Sequence, residues 1–348
     1  MGQGPDGASP PQVLVELAHG HIATRCLHMI ADFGVADALG EEPASAAALA
    51  ERTGLDADAL NRMLRLLATR GVFAEAQGGG YVHTPASRLL RSDHPQSLRS
   101  FARMQGLEPM WSGFTGLAHA ARTGKPAGGW PAMLEHLRTH PADSAVFNEA
   151  MVGKSRRVLP ALIDAYDFSR SERIADVGGG HGHLLRAIIE QVPDVGGVLF
   201  ELPQVIAEAA LQPLPRLELV AGDFFADPLP AADTYVLMDL LHDWADDDAA
   251  RILAGVRRAA PVGARVLVIE TLITEEPGRQ LGKVLDVIML ATTGGRERAV
   301  AEHGVLLANA GFRLERVIPT ASQYSIVEAT AISVRSRPAA SDGLRQEP

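Results

Sequence analysis

Cysteine is all but missing, with Cys26 the only one among 348 residues. A single thiol cannot close an intrachain disulfide, so the chain is expected to work in a reducing cytoplasm. Basic charge is also short. Lys and Arg number 32 against 42 Asp and Glu, a net charge of −10, and a protein that grips a phosphate backbone needs a basic face. No apolar run reaches the roughly 18 residues of a membrane span. The first eleven residues lack the basic start and apolar centre of a secretory signal, and Asp6 stands where myristoylation requires Ser or Thr. Aromatics make up only 5% of the chain, so a local concentration of them is informative. These shortages leave a globular cytoplasmic protein with neither a nucleic-acid nor a membrane partner.

Glycine, by contrast, is concentrated where it matters. Residues 174–183 read Ile-Ala-Asp-Val-Gly-Gly-Gly-His-Gly-His, a short apolar strand ending at Asp176 and running through Gly178, Gly180 and Gly182 into an apolar helix, 184–192. Glycine is required where the backbone takes positive φ or lies against a ligand with no Cβ between. A dinucleotide fingerprint would place its third glycine at position 183, which is His183, and no Gly-Lys-Ser/Thr follows for a phosphate loop. The loop fits S-adenosylmethionine, a ligand with no phosphate to seat. A glycine turn that merely joins strand to helix is the competing reading.

Four further apolar runs, 197–202, 217–223, 234–241 and 264–271, read as strands that deliver Glu201, Asp223, His242 and Glu270 at or near their carboxyl ends. Open α/β sheets bind ligands at that edge. Two last strands, 313–318 and 324–332, are joined by a short turn near Pro319 and must pair antiparallel.

Ahead of the sheet, apolar spacing predicts helices over 12–39, 46–54 and 56–70, then a glycine-turn hairpin over 72–83. This is a winged-helix layout, which raises DNA binding as an alternative. Residues 45–100 hold seven Arg against five Asp and Glu, and Asp56 and Asp58 occupy the turn a recognition helix would present. Packing or dimerisation suits that surface better. A mainly helical connector, 97–165, gathers Trp111, Phe114, Trp130, Phe147 and Met151. They are core residues or the wall of a pocket. Asp246, Asp247 and Asp248 open a helix, where the dipole explains them without a metal, and no His or Cys spacing indicates a metal site.

These residues resemble the plant-type small-molecule O-methyltransferases, which act on caffeate-like phenols, hydroxyindoles and bacterial aromatic secondary metabolites. The resemblance covers about 12–332 and rests on ordered matches at 147–151, 176–180, 200–203, 222–224, 241–244, 268–270, 286–290 and 294–298. It implies an α/β fold: a Rossmann-like methyltransferase sheet closed by the C-terminal antiparallel hairpin, behind an N-terminal, mostly helical, winged-helix-like dimerisation domain. The expected organisation is a disordered tail over 1–11, the dimerisation domain over 12–100, a pocket-lining connector over 101–165, the catalytic domain over 166–335 and a second tail over 336–348.

Carried over by position, the resemblance makes His242 the base that takes the acceptor's hydroxyl proton, with Glu270 and Glu297 flanking and orienting its ring. A histidine titrates near about 6.5, so it is expected to be largely neutral at pH 7, whereas a phenol near about 10 needs its proton removed. Gly178 and Gly180 would admit the amino-acid part of the donor, Glu201 its two ribose hydroxyls, and Asp223 with Phe224 its adenine. Ser155, Met238 and Trp244 complete the implied cofactor contacts, and S-adenosylhomocysteine is the implied product. Trp111, Phe147, Met151, Asp243 and Met289 are the candidate acceptor contacts, in a metal-independent homodimer. The chain departs from the pattern at Met238, where many relatives carry lysine, and at Thr292-Thr293, where plant members have His-Asn-Pro. Caffeate is therefore not the expected acceptor. Two other functions remain open at this point: a relative that binds the donor but decarboxylates or hydroxylates, and a winged-helix regulator.

Overall fold

The structure, a computed structural model, describes residues 9–209, 213–278 and 280–333. The 336–348 tail and all but the last three residues of the 1–11 tail lie outside them. The chain divides into two compact units, one running to Pro160 and taking in Leu290–Gly294, the other comprising Ala161–Met289 and the chain from Gly295 onward. The division falls inside the helix Pro141–Ala165, at Pro160.

In the helical unit a helix over Pro10–Asp32 is followed by shorter ones at Val35–Leu39, Ala46–Thr53 and Ala57–Ala68. The last starts at Asp56, whose Oδ1 accepts the Ala59 N–H at 2.8 Å and satisfies a first-turn donor. Leu60, Leu64 and Leu67 fall on one face of it and are buried. A hairpin of β1 (Phe73–Glu75) and β2 (Tyr81–His83) packs there, with Tyr81 donating its hydroxyl to Asn61 Oδ1 at 2.8 Å. Helix, turn, helix and wing are thus arranged as the sequence predicts.

The second unit is built on seven strands: β3 (Arg173–Val177), β4 (Gly196–Glu201), β5 (Leu217–Ala221), β6 (Thr234–Met238), β7 (Arg265–Glu270), β8 (Phe312–Pro319) and β9 (Ser325–Ala331). Their order across the sheet is β5-β4-β3-β6-β7-β9-β8. All neighbours run parallel until β9, which is antiparallel to both β7 and β8. Helices cover both faces, so the parallel strands read as nearly unbroken apolar runs. Val266, Leu267, Val268 and Ile269 are all fully buried, each stabilising the fold by about 1.5–3 kcal/mol. Strand order reverses between β3 and β6, and the crevice beyond their carboxyl ends is where such a sheet takes a ligand.

Three element ends differ from expectation. β6 stops at Met238 and does not run on to Leu241, because Asp239 turns the chain at φ 50°, a left-handed conformation that ends a strand. The helix expected over 281–290 continues to Thr292. Pro319 closes β8, and the turn lies beyond it.

Candidate active site

The glycine turn follows β3 with Gly178, Gly180 and Gly182 at φ 69°, 57° and 72°. Their surroundings differ. A Cβ on Gly178 would lie 3.0 Å from Leu240, one on Gly179 2.3 Å from Asp176, and one on Gly182 3.1 Å from Leu199, whereas nothing stands within 4 Å of one on Gly180. The Gly180 side of the turn is therefore the open one. Beside it, Glu201 at the end of β4 accepts the N–H of Gly180 at 3.2 Å through Oε2 and that of Leu202 at 2.7 Å through Oε1. Burial raises the Glu201 pKa against the pull of those two N–H groups. Asp176 is buried with Oδ1 unpartnered, and burial followed by the charge of Glu201 raises it to about 7.

Asp223, just past β5, accepts the Phe225 N–H at 2.8 Å through Oδ1. Phe224 and Phe225 meet the indole of Trp244 edge-on at 6.0 and 4.7 Å between ring centroids. A backbone turn with room on one side, a carboxylate at the next strand end and an aromatic cluster beyond form a set of surfaces that fits an adenosyl group carrying an amino acid.

Beyond β6 the chain makes a single 3-10 turn, Leu241–Asp243, which carries His242. The imidazole is buried. Its Nδ1 donates to Glu297 Oε1 at 2.8 Å, while Nε2 stands 3.8 Å from Asp243 Oδ1 and 3.9 Å from Asp239 Oδ1. Those two distances exceed hydrogen-bonding reach. Glu270, at the end of β7, accepts the main-chain N–H of His242 at 2.9 Å and so holds the backbone, not the ring. Its other oxygen lies 3.5 Å from Nε2 of the buried His303, with no hydrogen bond between them.

The electrostatics follow from this crowding. Burial alone pushes the His242 imidazole down, but Asp243, Glu297, Asp239 and Glu270 outweigh it and raise it to about 10. These carboxylates make the ring a stronger proton acceptor than the unperturbed value implies. Burial raises Glu270 to about 7 and lowers His303 to about 4. Among the described residues no group of three His, Cys, Asp or Glu is arranged to hold a metal ion.

The catalytic unit therefore brings together His242, Asp243, Glu270 and Glu297, and presents Gly178, Gly180, Glu201, Asp223, Phe224, Met238 and Trp244 at or near its strand ends. Met238 is the last residue of β6, and Met289 is buried near the end of the helix Leu281–Thr292. Trp111, Phe147, Met151 and Ser155 belong to the helical unit. Phe147 and Met151 share a helix and pack against a small core of Met104, Val146 and Ala150. Trp111 has the guanidinium of Arg25 5.3 Å over its ring, and its Nε1 is buried without an acceptor.

Sequence reasoning passed over Asp239, whose carboxylate accepts the Tyr324 hydroxyl at 2.8 Å. It also passed over His303. Asp239 had one visible signal, a charge inside an otherwise apolar strand run.

Two family models match this architecture, the O-methyltransferase domain over residues 115–313 and the O-methyltransferase dimerisation domain over 15–93. The chain belongs to the O-methyltransferase family. This O-methyltransferase is 39% identical to the phenazine O-methyltransferase of Lysobacter antibioticus over 94% of its own chain and 98% of the relative. The methyltransferase of calicheamicin biosynthesis, solved with S-adenosylhomocysteine bound, superposes with a TM-score of 0.81 at 35% identity, covering 92% of this chain and 98% of that one. An O-methyltransferase of neocarzinostatin biosynthesis, solved with S-adenosylmethionine and 2-hydroxy-5-methyl naphthoic acid, gives 0.77 at 35%, covering 89% and 96%. S-adenosylmethionine is the donor this family uses.

Proposed function

We propose that this O-methyltransferase methylates a hydroxyl of an aromatic small molecule of secondary metabolism, with His242 as the base and no metal. The observation that carries the reading is the division of labour between the two ring nitrogens of His242: Nδ1 is committed to Glu297, and the carboxylates of Asp243 and Asp239 stand 3.8 and 3.9 Å from Nε2, beyond bonding distance. Nε2 is then the nitrogen that meets an incoming hydroxyl.

Gly178, Gly180 and Glu201 would hold the donor's amino acid and ribose, Asp223 and Phe224 its adenine, with Ser155, Met238 and Trp244 as further contacts. When bound, S-adenosylmethionine supplies a sulfonium methyl that needs no further activation and a positive charge that opposes a second one on His242. The protein's own work is to align the acceptor oxygen and to take its proton. A phenol near about 10 loses that proton readily to an imidazole held within reach. Glu297 fixes the ring's orientation and stabilises the imidazolium that forms, and Glu270 fixes the backbone beneath it. No Lewis acid is required for either task.

The acceptor class is supported by the polycyclic aromatic acceptors named for the relatives, a phenazine and a naphthoic acid. Trp111, Phe147, Met151, Asp243 and Met289 are its proposed contacts. The dimerisation model, together with the exposed Leu14, Val15, Leu17 and Ile22 on the helix Pro10–Asp32, supports a homodimer. Incubation with S-adenosylmethionine and a panel of hydroxylated phenazines, naphthoates and benzoates tests the reading. A gain of one CH2 on a hydroxylated ring is expected. Binding of the donor with no methylated product from any of them, or loss of CO2 in its place, would count against it.

A further inference from the structure

We infer that Arg298 is a positioning residue for the proton transfer, clamping the turn that carries His242 at both of its ends. The inference rests on His242 being the base and adds what keeps that base in place. A single 3-10 turn has poor hydrogen-bond geometry and little rigidity of its own, and this one is bound from outside by three consecutive residues. Arg296 donates its main-chain N–H to the His242 carbonyl at 2.8 Å, and Glu297 accepts from the ring. Arg298 then donates Nη1 to the Leu241 carbonyl and Nη2 to the Trp244 carbonyl, each at 2.8 Å. One guanidinium thus ties the residue before the imidazole to the second residue after it.

The approach is close. A Cβ on Gly295 would lie 2.0 Å from the His242 carbonyl oxygen, so the strap lies flat against the turn only with glycine there. Arg298 itself is 1% exposed. Its Nε and Nη2 also reach Asp246 Oδ1 at 3.0 and 2.9 Å, in the first turn of the helix Asp246–Ala259. Its carbonyl accepts the Ile273 N–H at 3.2 Å. Only a planar fork of donors serves two carbonyls and a carboxylate at once; an ammonium in the same place keeps the charge and loses the span. The charge also opposes the rise that burial imposes on Glu270 and adds to the fall it imposes on His303. Releasing one end of the turn lets Nε2 swing, and a displacement of about 1 Å at a reacting atom costs about 100-fold in rate.

The test uses Arg298→Lys in the whole chain, with Arg313→Ala as control because Arg313 is exposed and its ion pair among the described residues is the local one with Glu315. Melting temperature, donor Kd, acceptor KM, kcat and the downfield NMR proton of His242 Nδ1–H, identified by its absence in His242→Asn, are measured for each. For Arg298→Lys, melting should fall by a few degrees as a buried carbonyl loses its donor, donor Kd should stay near wild type and KM within about 3-fold, while at a temperature where the variant is folded kcat falls about 10- to 100-fold and the Nδ1–H resonance broadens or disappears. Arg313→Ala should match wild type throughout. A wild-type kcat in Arg298→Lys overturns the inference, and so does a fall in kcat with the Nδ1–H resonance intact. Failure of the base reading is distinguishable, since it would show as turnover by His242→Asn whatever the resonance in Arg298→Lys does.

Discussion

Two pairs of acids, all buried but the half-buried Glu201, stand at the working edge of the sheet, and they are built differently. Asp176 and Glu201 have no ion-pair partner among the described residues; Glu201 spends its oxygens on backbone N–H groups, and Asp176 leaves one unpartnered. Glu270 and Glu297 are gathered around His242, one on its backbone and one on its ring. An acid pair without a counterion offers acceptor oxygens, which suits neutral hydroxyl donors such as those of a ribose. An acid pair wrapped around an imidazole instead sets where a proton sits and how firmly. On the proposed reading, the same residue type serves recognition at one end of the site and proton handling at the other.

The contrast can be broken at either end. Glu297→Gln should have the larger effect, lowering kcat about 10- to 100-fold with little change in donor affinity. Removing that negative charge lowers the His242 pKa, because Glu297 is among the groups raising it. The rising limb of kcat/KM against pH, which lies above 6.5 in the wild type by this account, should therefore move to lower pH. An unchanged limb would separate Glu297 from the base.

Glu201→Gln should do the opposite. An amide of the same shape offers one acceptor oxygen where the carboxylate offers two. Calorimetry should show S-adenosylmethionine binding weakened about 10-fold, with kcat at saturating donor within about 3-fold of wild type. A kcat loss without a Kd change would place Glu201 in the chemistry and dissolve the comparison.

The smallest effect is on stability. Asp176 has its folded pKa raised to about 7, above the unfolded value of about 3.9. Its contribution to stability is accordingly complete below about pH 4 and lost as pH rises through about 7. Relative to wild type, Asp176→Asn should gain about 3–6 °C in melting temperature between pH 5 and pH 8. A constant offset across that range would show that Asp176 is ionised in the folded protein throughout.

Much of this arrangement could be read from sequence because period and punctuation are local. The parallel strands, the glycine turn after Asp176 and the closing hairpin all follow from short apolar runs and their breaks. His242 and Glu270 were likewise legible at strand ends, whereas Glu297 came from the family resemblance. What could not be read was direction. That Glu270 grips a main-chain N–H, and that Asp239 adopts φ 50° and turns its carboxylate toward the imidazole, depend on packing between strands far apart in the chain. The direction of the His242 shift could not be read for the same reason, since two of the carboxylates that raise it, Glu270 and Glu297, come from segments far from the turn.

The most direct measurement is single-turnover methyl transfer by His242→Asn with saturating S-adenosylmethionine, at pH 7 and again near pH 10. The account predicts donor binding close to wild type, a rate lowered about 100- to 10,000-fold at pH 7, and partial recovery near about pH 10, where a phenol ionises without help. A wild-type rate at pH 7, or a loss that is the same at both pH values, would contradict it.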